Sequence, residues 1–124
     1  MAFARLGLEM KGKYLGYLSS NVVDPTSRFT MVRVKGEADR DMGLVGYPIY
    51  TAFRPGFLVN RDNDFRLIET IGKWLPFVPK IESKNLARCM LEHCLRTLSE
   101  HQVGDEPKKI ILKNKQMNAY VATL

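Results

Sequence analysis

The sequence predicts an α/β fold in which a small parallel sheet is flanked by helices. Three observations support this prediction. Short apolar runs alternate along the chain with stretches whose apolar residues recur at helical spacing. The runs are continuous, which is typical of parallel strands buried on both faces. Turn-forming residues separate the segments. Such alternation implies parallel strands joined by crossover helices.

The central strand is predicted at about 49–53, where the chain reads IYTAF. Pro48 precedes this run, where a missing N–H does least harm to a strand. Arg54-Pro55-Gly56 ends it abruptly, because Gly56 permits a turn that other residues resist. Ligands of open α/β sheets bind at the carboxyl ends of strands. The loop 54–63 is therefore the first candidate site.

Two more strands are predicted, at about 14–18 (YLGYL) and 109–113 (KIILK). Helices are predicted over 3–10, 28–42, 62–75 and 83–101, residues 77–81 are expected to be extended, and residues 118–124 form a short helix or an extended tail. We expect Ser27 or Thr26 to cap the second helix and Ser83 to cap the fourth.

Two of these helices have apolar residues that define a predicted buried face. In the second helix they are Phe29 and Val32, with Met31 and Val34 as further members. In the fourth helix, the broad apolar face consists of Leu86, Met90, Leu91, Cys94, Leu95 and Leu98.

Composition places the chain among ordinary globular domains. It has 124 residues, 45% of them apolar and 26% charged. No apolar stretch approaches the roughly 20 residues that span a bilayer. The net charge of +6 permits attraction to nucleic acid or anionic lipid. Basic residues are nevertheless spread along the chain, with one local lysine cluster at 108–115, and no nucleic-acid motif is recognised. We therefore expect neither a membrane span nor a nucleic-acid partner.

The two cysteines, Cys89 and Cys94, are predicted to be reduced. Five residues of helix give about 7.5 Å of axial rise, which exceeds the Cα separation that a disulfide tolerates. Reduced thiols are consistent with an intracellular location, in the cytoplasm or, given the basic first residues, in mitochondria. Cys89 and His93 share a helical face, but two ligands do not make a zinc site, so no metal is expected.

Three stretches carry a resemblance to a known family: Ser19-Ser20, FTMVRVKGEA at 29–38 and YTAFRPGFLV at 50–59. They resemble the second half of an atypical short-chain dehydrogenase/reductase, of the Tat-interacting-protein oxidoreductase group in the NAD(P)-binding epimerase-like superfamily. In that group a Ser-Ser pair ends a strand, Val-Lys-Gly-Glu lies on the next helix and Phe-Arg-Pro-Gly ends the following strand. The resemblance implies that residues 1–124 form one partial domain. This domain would be the C-terminal half of a Rossmann-like fold without its glycine-rich N-terminal half.

The resemblance also implies a catalytic remnant. Ser19 matches the family's substrate-polarising serine, with Ser20 as the alternative, and the family's Tyr-x-x-x-Lys pair becomes Met31-x-x-x-Lys35. Positions one helical turn apart share a face, so the geometry is retained. A tyrosine beside a lysine protonates the oxyanion formed by hydride transfer, but a thioether has no proton to give. Tyr47 and Tyr50 are not at the motif spacing.

Cofactor contacts are implied at the turn after the central strand, namely at Arg54, Pro55, Gly56 and Phe57. Dinucleotide phosphates need backbone N–H groups at a helix N-terminus, and no G-x-G-x-x-G loop occurs here. We therefore expect no cofactor on the isolated chain, and NAD(P) only where another half completes the site. The alternative role for Arg54 is an ion pair with a carboxylate such as Glu37.

Two functions remain open at this point. The first is a non-catalytic, pseudoenzyme-like subunit that serves as a structural or interaction component of a larger assembly. It rests on the strand at 14–18, whose open apolar edge invites a different subunit or a second copy. The alternative is the C-terminal half of an NAD(P)-dependent oxidoreductase or epimerase-like enzyme, completed by another chain or a missing segment.

Overall fold

The computed structural model describes residues 2–59, 80–102 and 104–124. Its helices are α1 (Ala2–Glu9), α2 (Thr30–Gly43), α3 (Ser83–Glu100) and α4 (Asn114–Ala122). Its strands are β1 (Tyr14–Leu18), β2 (Ile49–Arg54), β3 (Phe57–Val59), β4 (Lys80–Glu82) and β5 (Lys108–Lys113).

The main sheet has three parallel strands in the order β1-β2-β5. Tyr14 and Lys108 both pair with Ile49, so the first residues of the three strands are in register. Central β2 is buried over its first five residues, as its continuous apolar run predicts. The predicted α/β fold and its three strands are confirmed, with bounds within one residue. The arrangement is consistent with half of a Rossmann-like fold.

Helices cover both faces of β2. On one face, Phe53 packs in a core with Leu86 and Cys89 of α3, Met117 of α4, and Ile81. On the other face, the Tyr50 hydroxyl donates to the backbone carbonyl of Asp39 in α2. Because side chains alternate along a strand, the sheet is the middle layer between α2 and the α3–α4 pair.

A second, two-stranded parallel sheet joins β3 to β4, and the sequence analysis did not predict it. Residues 57–59 were expected to be loop. The extended stretch expected at 77–81 coincides with β4 at residues 80 and 81, and its first three residues lie outside the described residues. The helix predicted at 62–75 also lies outside them.

Three helix starts differ from the predictions. The N-cap of α2 is Phe29, because Ser27 closes its own turn by accepting the Phe29 N–H at 3.1 Å. The α3 N-cap is Glu82, one residue before the predicted Ser83. The last helix starts at Asn114 rather than at 118.

The predicted apolar faces are only partly buried. In α2, Phe29, Met31 and Val34 are exposed, while Gly36 and Asp39 are buried. In α3, Leu86 is buried, and Leu91, Leu95 and Leu98 are exposed. Both cysteines are free thiols. Across the described ranges, no helix has the length and apolarity to cross a bilayer.

Candidate functional site

One buried carboxylate joins the carboxyl ends of β1 and β2. Arg54, the last residue of β2, holds Asp39 of α2 through two hydrogen bonds, Nη2 to Oδ1 at 2.7 Å and Nε to Oδ2 at 3.1 Å. Ser19 directly follows β1, and its hydroxyl donates to the same Oδ2 atom. Asp39 therefore fixes two neighbouring strand ends to the helix that crosses between them.

Gly36 allows α2 to approach close enough for these contacts. A Cβ at this position would collide with backbone atoms of Asp24 and Pro25 in the loop after β1. That loop also hydrogen-bonds to the helix, since the Asp24 N–H donates to the Val32 carbonyl at 3.3 Å. The glycine of the Val-Lys-Gly-Glu stretch is thus required by packing.

The ion pair is electrostatically stable. Asp39 is only 4% exposed, and burial by itself would raise the pKa of its carboxyl group. The hydrogen bonds from Arg54 and Ser19 outweigh the burial, so the pKa of Asp39 lies below its usual value. The hydrogen bond to Asp39 in turn raises the pKa of Arg54. Asp39 and Arg54 thus form a charged pair with a structural role. The Ser19 hydroxyl and the Arg54 guanidinium are both engaged in hydrogen bonds to Asp39.

The alternative predicted for Arg54, an ion pair with a carboxylate, is confirmed, but the partner is Asp39 and not Glu37, the example named for it. Residues 37 and 39 lie about 200° apart around a helix, so only one of them faces the sheet. Asp39 is buried on that side, whereas Glu37 is not. Asp39 was not among the predicted site residues, although a carboxylate one turn beyond Lys35 was the available signal.

Met31 and Lys35 lie on the exposed side of α2. Met31 is 71% exposed, and Lys35 is also exposed. Among the described residues, no hydrogen bond or ion pair links Lys35 to Ser19. The structure therefore does not bring the predicted remnant together. Ser20 closes a local turn by accepting the Val22 N–H at 3.4 Å.

Contacts from two sides hold the turn after β2. The Asn21 N–H donates to the Pro55 carbonyl at 3.1 Å, and the Gly56 N–H donates to Asn114 Oδ1 at 3.0 Å. Pro55 is buried. Phe57 begins β3, and its side chain lies outside what the structure describes. The predicted cofactor turn is thus a fixed element beside the start of α4.

The two tyrosines near the site bond to backbone groups. Tyr47 donates its hydroxyl to the Ala4 carbonyl at 2.7 Å, and Tyr50 donates to the Asp39 carbonyl at 3.2 Å. Burial raises the pKa of Tyr50 above its usual range, with the Asp39 charge adding to it. A phenol with a raised pKa is a weak acid, so Tyr50 is a poor substitute for the missing catalytic tyrosine.

No family model matches the chain, and a comparison with curated proteins finds no match. The resemblance to short-chain dehydrogenases/reductases therefore stays a prediction. Within the described part of the chain, no group of three or more His, Cys, Asp or Glu residues is placed to hold a metal ion.

Proposed function

We propose that this chain is a non-catalytic, reductase-like subunit that acts as a structural or interaction component of a larger assembly. Another chain would cover the outer edge of β1, as a different subunit or a second copy. One observation carries the proposal. In the described residues β1 pairs with β2 on one side and with no strand on the other.

The hydrogen-bond pattern identifies the unpaired groups on that edge. The Ser19 N–H donates to the Phe53 carbonyl at 2.8 Å, and the Lys13 carbonyl accepts the Ile49 N–H at 3.0 Å. Backbone groups alternate in direction along a strand, so odd-numbered residues face β2. The N–H and carbonyl groups of Tyr14, Gly16 and Leu18 therefore face outward.

In the described ranges, this edge carries none of the features that usually prevent strand addition. The YLGYL sequence has no charge and no proline, and Leu18 is 48% exposed. Exposed edges in soluble proteins are normally protected by lysine, proline, a bulge or a covering element. An edge without such protection is a template for strand pairing.

The helix that lies over β1 adds an apolar surface. The Tyr14 hydroxyl is 3.4 Å from His93 Nδ1, which places α3 against this strand. Leu91, Leu95 and Leu98 recur at helical spacing on the outer side of α3, and Leu91 is 61% exposed. Together the edge and this stripe resemble the inner surface of a larger fold.

The arrangement of the remnant supports the non-catalytic part of the proposal. Met31 supplies no proton at the position of the family's tyrosine. The Ser19 hydroxyl is committed to Asp39. Carbonyl reduction needs a free donor at the oxyanion, and neither residue offers one.

Hydrogen exchange at single residues tests the proposed edge. In the isolated chain, diluted until it is monomeric, we expect the outward amides of Gly16 and Leu18 to exchange rapidly. In the natively purified assembly they should be protected, because a strand of the partner accepts their hydrogens. Lys109 and Ile111 on β5 are the matched controls and should be unchanged. Protection of Gly16 and Leu18 already in an isolated monomer would contradict the proposal.

The alternative, half of an NAD(P)-dependent enzyme, is favoured by the position of Ser19. This residue follows β1 at its carboxyl end, where a completing half would meet it. The alternative predicts NAD(P)H-dependent turnover of a carbonyl panel by the natively purified assembly. That turnover would be lost in Lys35→Ala and retained in the exposed control Lys84→Ala. Our proposal predicts no turnover in any of the three proteins.

A further inference from the structure

A cavity of about 590 Å³ lies at the carboxyl side of the main sheet. Its described lining consists of three lysines and three asparagines and contains no acidic residue: Asn21, Lys80, Lys113, Asn114, Lys115 and Asn118. The lysine cluster noted in the sequence thus contributes two cations to one cavity.

The wall of the cavity is built from fixed groups. Asn114 is buried, accepts the Gly56 N–H through Oδ1 and donates through Nδ2 to the Lys80 carbonyl at 2.9 Å. Asn118 donates to the same carbonyl, also at 2.9 Å. These bonds join β4, α4 and the turn after β2. The cavity is therefore held open by hydrogen bonds between separate elements.

The lysines that line the cavity form no ion pair with any carboxylate in the part of the chain that the structure describes. The first turn of α4 has no acidic residue, and Lys113 and Lys115 flank its start. A helix N-terminus is a positive pole, so cations there repel it. An anion in the cavity would relieve this repulsion, as anions do at helix N-termini.

We propose that this cavity binds a small molecule that carries two or more linked phosphate groups. Three ammonium groups match the charge of a diphosphate or triphosphate, and lysine is a common phosphate ligand. The volume lies within the range of ordinary ligand sites and exceeds that of a single phosphate. The inference is independent of the proposed subunit role.

Titration calorimetry with inorganic pyrophosphate and tripolyphosphate tests this site at fixed low salt. The cavity variant is K113Q/K115Q. The control K84Q/K108Q removes the same amount of charge at matched positions away from the cavity. Lys84 is also the second residue of a helix, and Lys108 lies at the other end of β5, about 16 Å from Lys113. We expect at least tenfold weaker binding in the cavity variant, about 1.4 kcal/mol, and less than twofold weaker binding in the control.

Amide NMR shifts of the wild-type chain provide a second readout that needs no variant. Pyrophosphate should shift the amides of residues 114–118 and leave those of 83–87 unchanged. Equal losses in both double variants would overturn the proposal, because they would indicate diffuse charge attraction. Absence of saturable binding by the wild type would overturn it as well. Binding of citrate as tight as that of pyrophosphate would overturn the assignment to phosphates.

Discussion

The two outer strands of the main sheet differ in how they meet solvent. Strand β1 reads YLGYL and contains no charged residue, whereas β5 reads KKIILK and has lysine at three of six positions. Among the described strands, both are edges of the same parallel sheet, and both pair with β2. Lysines on an edge oppose strand addition, because pairing would bring their charges against a second chain. β5 is built to stay exposed, and β1 is not.

The comparison extends to the contacts that hold each edge in place. The end of β1 is tied to α2 through Ser19 and Asp39, and its start lies against His93 of α3. In β5, the side chain of Ile111 is 38% exposed. Strand β1 is thus firmly fixed along its own sheet, and no described strand pairs with its outer side.

The largest expected effect is on the anchor of β1. Asp39→Ala leaves Arg54 as an uncompensated, partly buried charge and should lower the free energy of unfolding by about 3–5 kcal/mol. Asp41→Ala removes an exposed pair with Arg40 and should cost less than about 1 kcal/mol. Urea unfolding measures both. Similar losses in the two variants would contradict the assigned role of Asp39.

The pH dependence provides a second test of the same anchor. The pKa of Asp39 is lowered in the folded chain. The stabilisation by Asp39 is therefore complete above the ordinary aspartate pKa of about 3.9 and is lost as the pH falls through the lower, folded value. The wild-type chain should lose this stabilisation at acid pH. The free energy of unfolding of Asp39→Ala should lack that part of the pH dependence.

A somewhat smaller effect is expected at the glycine that brings α2 onto the loop after β1. Gly36→Ala should cost about 1–3 kcal/mol, because the new Cβ would force backbone atoms of Asp24 and Pro25 to move. Ala38→Gly, on the same helix, should cost about 1 kcal/mol or less through helix propensity alone. Thermal unfolding compares the two. A stabilised Gly36→Ala protein would show that α2 does not approach this loop closely.

The smallest effect concerns His93, the contact of α3 with β1. Burial lowers the pKa of His93, and nearby Arg96 lowers it further. The unfolded chain therefore takes up the proton first as the pH falls below about 6.5, and stability decreases. His93→Gln should flatten this slope of the free energy of unfolding between pH 7 and 5. If stability has the same pH slope in His93→Gln and in the wild type, the His93 side chain lies in solvent and the assigned contact is wrong.

The sequence was sufficient to predict the three strands of the main sheet but not the site. A short continuous apolar run such as IYTAF, bounded by Pro48 and Gly56, is typical of a strand with two covered faces, so β2 was predictable from local pattern. The buried side of α2 was not predictable from local pattern. The side that faces the sheet carries Asp39, which pairs with Arg54, whereas Phe29 and Met31 are exposed. That choice depends on a residue fifteen positions away. The three-residue strands β3 and β4 are too short to show a period.

Sedimentation velocity over a concentration series tests the central claim, that the outer edge of β1 requires another chain. The wild type should self-associate as concentration rises. Leu18→Pro should stay monomeric, because it removes an outward N–H and no bond to β2. Ile111→Pro removes an outward N–H from β5 and should behave as wild type. A wild-type chain that is a monodisperse monomer at every concentration, or equal effects of the two prolines, would contradict the account.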